Sequence, residues 1–420
     1  MTFLQANGFD EKVEKAEEIL KAFREEMTRG LLGEGRLPML PAGFAMSEKT
    51  PCACDLPAFD VGGTNTRSAR VRFDETGVPT IQNQLKGFMP GSRGEVGPEA
   101  FYRILCDVLA PNLRAGEHLG FCFSYPVDAA GTLLYWTKHI QAPALSGTNV
   151  VAGLAAALEG RAIRNVSIRV LNDTVAALLA AYAHQTSETR AAYVGFILGT
   201  GTNTAYAESS GRILKCPTLP PGAMIPINCE SGNFANFPLS RFDERHEAVS
   251  GNGRAIWERC ISGVHLGGLG TEILHAAAES TELFSAGLRD DVLSRTFTNI
   301  ELDNFCAGTS PDLFACSATE AETIRSLLCP MYERAARFAA INMAAAALQS
   351  AEARGARGGV CRINADGSTF WKTACVPFRE IVRAQLEALL KPRGFSAEIV
   401  QIADAPLIGA AIASQAEPAS

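Results

Sequence analysis

"FDVGGTNTRSARVRF", residues 59 to 73, and "ILGTGTNTAYAE", residues 197 to 208, share the string GTNT. Gly63-Thr64-Asn65-Thr66 and Gly201-Thr202-Asn203-Thr204 lie 138 positions apart (201 − 63). Each segment reads as a strand that breaks into glycines, then threonine and asparagine, then a second strand. Glycine permits positive φ and lets the backbone approach a ligand closely. Successive amide N–H groups in such a turn make an anion-binding concavity, and threonine hydroxyls add donors. One such turn alone is most simply a tight hairpin. Two of the same composition, one in each half of the chain, favour a polyphosphate gripped between two lobes. A GxxxxGK[ST] phosphate loop is excluded, because the chain has no Gly-Lys dipeptide.

The flanks set the architecture. "SARVRFD" alternates Ala69, Val71 and Phe73 against Ser68, Arg70 and Arg72, the period of a half-buried strand. Helical patterns near 98 to 110 and 149 to 159 bracket the apolar strand "LGFCFSYPV", which ends at Pro126. "VSIRVLND" is a further strand that runs into the helix "TVAALLAAYAHQ", and "AAYVGFILGTG" is again a strand. Strands alternating with helices indicate an α/β architecture with mixed sheets. Ahead of them, residues 10 to 30 place Val13, Ala16, Leu20, Phe23 and Met27 on one helical stripe, with Gly30 as C-cap and "GEGRLPMLPAGF" as connector. From 255 onward the chain reads mainly helical. Its alanine-rich stretch at 334 to 353 is a buried helix, because Phe338, Ile341 and Leu348 recur through it. A strand near 359 to 364, a helix at 378 to 391, the strand "AEIVQIA" and the helix "LIGAAIASQ" close the chain.

Composition narrows the function classes. Of 420 residues, 47% are hydrophobic and 20% charged, which excludes a largely disordered chain. A net charge of −7 gives no electrostatic reason to expect nucleic acid or an anionic membrane. The longest apolar run, "VAALLAAYA", falls well short of the roughly 20 residues a membrane helix needs. The N-terminus lacks the basic start and apolar core of a secretory signal. Twelve cysteines are scattered without a CxxC pair or a zinc-like spacing, which suits reduced thiols and a cytoplasmic location.

"FDVGGTNTR", "LGFCFSYPV", "YWTK", "LNDTVAAL" and "ILGTGTNTAYAE" occur in the order and approximate spacing of the hexokinase/glucokinase family, and "INCESGNF" and "AIWERCISGVHLGGL" extend the resemblance. It implies the two-lobed actin-like ATPase fold, a duplicated ribonuclease H-like α/β core with mixed five-stranded sheets flanked by helices. One lobe would hold residues 55–171 and the C-terminal helix at about 407–420, the other 1–54 and 172–406. The implied activity is transfer of the γ-phosphoryl of Mg-ATP to the 6-hydroxyl of glucose or a related hexose. Oligomeric state stays open between monomer and homodimer.

Such transfer needs a hydroxyl held in line, an acceptor for its proton, and charge offset on the phosphate oxygens. Taken alone, Asn172 or Asp173 reads better as a helix cap; within the motif the family writes as NDT, Asp173 aligns with the catalytic base, and the resemblance reverses that reading. Lys138 reaches the sugar or the transferring phosphate, or is a solvated lysine. Ser124, Thr137, Lys138, Asn172, Asn203, Glu230 and Glu258 match the family's sugar-binding positions. Short polar side chains and carboxylates suit hydroxyl recognition, although Ser124 also reads as a strand end, Thr137 as a turn hydroxyl and Glu258 as an exposed helical glutamate. Asp60 resembles the acid that helps place Mg²⁺, by way of a bridging water. Gly62, Gly63, Thr64, Asn65 and Arg67 of the first turn, and Gly199, Thr200 and Gly201 of the second, would contact ATP phosphates; Arg67 reads as well as a strand-surface arginine. "DGSTF" at 366 to 370 resembles a segment beside the adenosine pocket, or is a type I turn.

Three departures stand out. Ser231-Gly232 replaces the family's Trp-Gly, the interval from Glu230 to Glu258 is short, and "DAPLIGAA" at 404 to 411 replaces a glycine/serine-rich loop. The first two leave room for a kinase that prefers fructose, mannose or an amino sugar, and the third bears on adenosine contacts and nucleotide preference; a non-catalytic sugar sensor that kept the fold is the remaining alternative.

Overall fold

The two GTNT turns belong to two different β-sheets built on one plan. The computed structural model describes residues 2–47, 50–136, 140–183, 190–251, 253–280 and 282–418. Its strands in chain order are β1 (Leu40–Pro41), β2 (Cys54–Val61), β3 (Asn65–Phe73), β4 (Pro79–Phe88), β5 (His118–Phe123), β6 (Ser167–Leu171), β7 (Ala192–Leu198), β8 (Thr202–Ser209), β9 (Met224–Asn228), β10 (Gly359–Asp366) and β11 (Phe395–Val400). One sheet runs β4-β3-β2-β5-β6 and the other β1-β9-β8-β7-β10-β11. In each, an antiparallel meander (β2-β3-β4 or β7-β8-β9) is followed by two strands parallel to its first member. The second sheet has six strands where five were expected. The connector after the N-terminal helix lays Leu40 and Pro41 against Asn228 and Ile227, an edge place where proline's missing donor is tolerated.

The sheets are joined by exchange. Helix Asp173–Ala183 leaves β6 and packs on β7, β8 and β10, whereas helix Ala405–Ser414 leaves β11 and packs on β2, β5 and β6. The two helices also pack on each other, and a Cβ at Gly409 would overlap the Ala176 carbonyl, so glycine sets that close crossing.

Several expectations need adjusting. The N-terminal helix spans Ala16–Leu31, so Gly30 lies inside it rather than capping it; a side chain there would strike the Leu37 carbonyl and Met39 of the returning connector. β3 is buried on both faces, because Ser68 donates to the Val108 carbonyl and Arg70 is held by Asp55 and Glu117. β5 ends at Phe123, three residues before Pro126 (126 − 123). The alanine-rich stretch forms the end of one long buried helix, Ala318–Ala353, whose Phe338 stacks on Trp257.

Candidate active site

β2, β5 and β6 are parallel, so they end on one edge of their sheet. That edge carries Asp60 and Gly62, Ser124, and Asn172 with Asp173, the place where ligands of α/β sheets gather. Asp60 is buried, and its Oδ2 accepts from Arg67 Nε at 2.9 Å and Nη2 at 2.8 Å. Burial pushes the Asp60 carboxyl up against the opposing pull of Arg67, and the nearby Asp173 charge adds to the rise. Tyr125 donates to the Gly62 carbonyl at 3.1 Å, and its phenol is pushed up by burial and then by Asp173. Ser124 N donates to the Val61 carbonyl at 3.1 Å, fixing this corner. Gly62 N donates to Asn65 O at 3.0 Å to close the first turn, leaving Thr64 and Asn65 exposed.

The helix cap falls to Asn172, whose Oδ1 accepts from Thr174 N at 2.9 Å. Asp173 is the first helical residue, half-buried, with Thr174 Oγ1 donating to its Oδ1 at 3.3 Å.

On the other sheet, β7 and β10 run parallel and end together at Leu198 and Asp366. Gly199 N donates to Gly201 O at 2.9 Å, and Gly199 O accepts from Gly263 N at 2.8 Å and Thr369 Oγ1 at 2.9 Å. Thr200 is exposed, with its carbonyl accepting from Val264 N at 3.1 Å. Glu258 Oε2 accepts from Thr202 N at 2.7 Å; a Cβ on Gly201 would sit 2.6 Å from that same oxygen. Asn203 Nδ2 donates to Asn228 Oδ1 at 2.6 Å and to Glu230 Oε1 at 3.4 Å, and Asn228 Nδ2 donates to Glu230 Oε1 at 2.8 Å. Glu230 itself has a left-handed backbone, φ 53°. The DGS segment is no type I turn: Gly367, at φ 109°, ends β10 beside Gly199 and leads into the short helix Ser368–Lys372.

One ion pair and one electrostatic influence link the two edges. Arg67 Nη1 donates to Asp404 Oδ1 at 2.8 Å, and Asp404 begins the helix that follows β11. Tyr135, from the chain half carrying the first turn, has its phenol pushed up to about 12 by burial and then by the Glu230 charge, with Glu258 adding to the rise. Asn228, Tyr125 and Asp404 escaped sequence reasoning; only Asp404 carried a signal, as the start of the departing 404 to 411 segment. Thr137 and Lys138 lie outside the described residues. Among the described residues, no group of three or more His, Cys, Asp or Glu side chains is arranged to hold a metal ion.

Paired sheets of like topology, each ending in a glycine turn, define the two-lobed actin-like ATPase fold. Sequence models described as Hexokinase match residues 5–183 and 193–416, and the chain belongs to the hexokinase family. Hexokinase-1 of Oryza sativa subsp. japonica is 34% identical over 281 residues, 61% of this chain and 56% of that one. Hexokinase of Schistosoma mansoni is 31% identical over 321 residues, 70% of each chain. The chain thus spans little more than half the length of the rice relative it matches. Among solved structures, the Schistosoma mansoni hexokinase complexed with glucose superposes with a TM-score of 0.74 at 26% identity, covering 97% of this chain and 100% of that one. A crystal structure of hexokinase at 22% identity gives a TM-score of 0.76 over 95% of both chains, a likeness of fold.

Proposed function

We propose that this chain is an ATP-dependent hexokinase, moving the γ-phosphoryl of Mg-ATP to the 6-hydroxyl of glucose or a related hexose. The observation that carries this reading is Asp173 at the edge of one sheet, with a glycine turn on each sheet and Arg67 reaching across to Asp404. Asp173 takes the hydroxyl proton as the oxygen attacks. Ser124, Asn172, Asn203, Glu230 and Glu258 hold the hexose hydroxyls, together with Thr137 and Lys138. The turns at Gly62–Asn65 and Gly199–Gly201 cradle the phosphates, with Arg67 beside them. Asp60 and Asp173 concentrate negative charge, which suits a Mg²⁺ held mainly by ATP oxygens and water; when bound, it offsets charge on the transferring phosphoryl. Residues 55–171 with 407–420 act as one lobe and 1–54 with 172–406 as the other, and their closure excludes water. Twelve free cysteines suit a reducing, cytoplasmic setting.

A matrix of hexoses against nucleotides, followed by ADP release, tests the reading. Hexose-dependent release with Mg-ATP is expected; none with any sugar would refute it. A second reading, preference for fructose, mannose or glucosamine, draws on Ser231 beside Glu230. A dominant kcat/KM for glucose in the same matrix removes it.

A further inference from the structure

Behind the corner made by Asn203 and Glu230 lies a closed ring of three side chains from distant parts of the chain. Thr204 follows Asn203 on β8 and, by strand alternation, faces the opposite side. Its hydroxyl donates to Asn342 Oδ1 at 2.9 Å, Asn342 Nδ2 donates to Ser231 Oγ at 3.1 Å, and the two hydroxyl oxygens are 3.0 Å apart. Because the Thr204 proton is committed to Asn342, Ser231 is the donor on the third side. All three residues are 1% exposed. Asn342 interrupts "AAINMAAAA" in helix Ala318–Ala353, where asparagine is a weak helix former and an unpaired buried amide is costly. The two partners it meets account for its presence.

Ser231 links this ring to the site. Its hydroxyl belongs to the ring, and its N–H donates to Asn203 Oδ1 at 3.3 Å. It directly follows Glu230, whose left-handed backbone is one that a residue with a Cβ keeps only under restraint. We propose that the Thr204–Ser231–Asn342 ring positions the hexose-binding carboxylate: it pins the turn from which Glu230 and Asn203 meet the sugar, with Asn342 as its anchor. This rests on the hexokinase reading above. Hydroxyl recognition needs side chains held to about half an ångström, so a ring that never touches the sugar still governs its affinity. None of the ring's members lies among the proposed phosphate contacts, so the nucleotide is left largely unaffected.

Steady-state kinetics on the full chain decide it, using wild type, Thr204→Val, Thr204→Ser, Ser231→Ala and Asn342→Leu. Thr204→Val and Ser231→Ala are expected to raise the hexose KM about tenfold while the ATP KM stays within about twofold. Thr204→Ser keeps the hydroxyl and should retain the wild-type hexose KM. If Asn342→Leu does not fold, the Thr204 and Ser231 variants still carry the test. An unchanged hexose KM in Thr204→Val, or equal rises in both KM values, overturns the proposal while leaving the hexokinase reading intact. A wild-type chain with no hexose-dependent turnover overturns that reading, and the ring's role with it.

Discussion

The two GTNT turns share letters and topology, and differ in what surrounds them. In the first, Thr64 and Asn65 face solvent, and buried Thr66 has no hydrogen-bond partner for its hydroxyl among the described residues. Arg67 braces this turn from below, against Asp60 and Asp404. In the second, Thr202 N is already taken by Glu258, Asn203 is turned toward Asn228 and Glu230, and Thr204 is tied to Ser231 and Asn342. Four identical residues enter a hairpin in both places, but the turns close differently: Val61 pairs with Thr66 across four residues, 62 to 65, and Leu198 with Thr202 across three, 199 to 201. Their surroundings diverge because the side chains that meet them come from unlike parts of the chain. On the proposed hexokinase reading, the first turn is left open for phosphate, while the second would be shared between phosphate and sugar.

The sharpest test of a single chemistry between two unlike turns is Asp173→Ala. It leaves the Asn172 cap in place, so folding should hold. Turnover is expected to fall about 10³-fold, the scale of losing a positioned base, with hexose binding largely retained by calorimetry. A variant keeping a tenth of wild-type turnover would end the proposed role of Asp173.

Next come paired variants that separate the turns. Asp404→Asn removes one charged partner of Arg67 while Asp60 keeps the other, and asparagine tolerates the left-handed backbone at φ 53°. It should raise the ATP KM about fivefold and spare the hexose KM. Asn203→Ala should do the reverse, raising the hexose KM about tenfold or more. Equal shifts of both constants in both variants would dissolve the division of labour.

A smaller, purely energetic contrast compares equivalent threonines. Thr204→Val strands the Asn342 carbonyl and the Ser231 hydroxyl, and should cost about 1–3 kcal/mol in denaturant unfolding. Thr66→Val removes a hydroxyl with no hydrogen-bond partner among the described residues, and should be neutral or slightly stabilising. Equal costs at both sites would mean that the two turns are supported alike.

Both turns, most strands and the junction at Asp173 were legible in the sequence because each is a contiguous pattern. What joins them was not. Arg67 meets Asp404 across 337 positions, and Thr204 meets Asn342 across 138, and nothing local to either residue says which partner it will meet. Whether Asn172 or Asp173 caps the helix depends on which side chain folds back to Thr174 N, and both residue types cap well. Gly30 looked like a stop signal because glycine often ends helices. Here it admits a neighbouring backbone, and Gly33, at φ 85°, takes the left-handed position instead. A two-residue strand such as β1 is too short for any periodicity to reveal.

The last contrast is in pH response. Beside the second turn, His265 Nε2 lies 4.0 Å from Glu258 Oε1, and burial, with Arg259 and His246 nearby, pulls its imidazole down to about 4. In the unfolded chain it titrates near 6.5. Between those values the unfolded state binds the extra proton, so this contribution is fully present above about 6.5 and is lost as pH falls toward 4. Asp60, at the first turn, is displaced upward, so its folded form binds the extra proton and its contribution weakens as pH rises above the ordinary aspartate value of 3.8. His265→Gln should therefore flatten the acid-side loss of stability by at most about 1 kcal/mol per pH unit, and leave stability at neutral pH little changed. An undiminished slope between pH 6.5 and 4 would mean that His265 titrates normally, and that the second turn is open to water as the first one is.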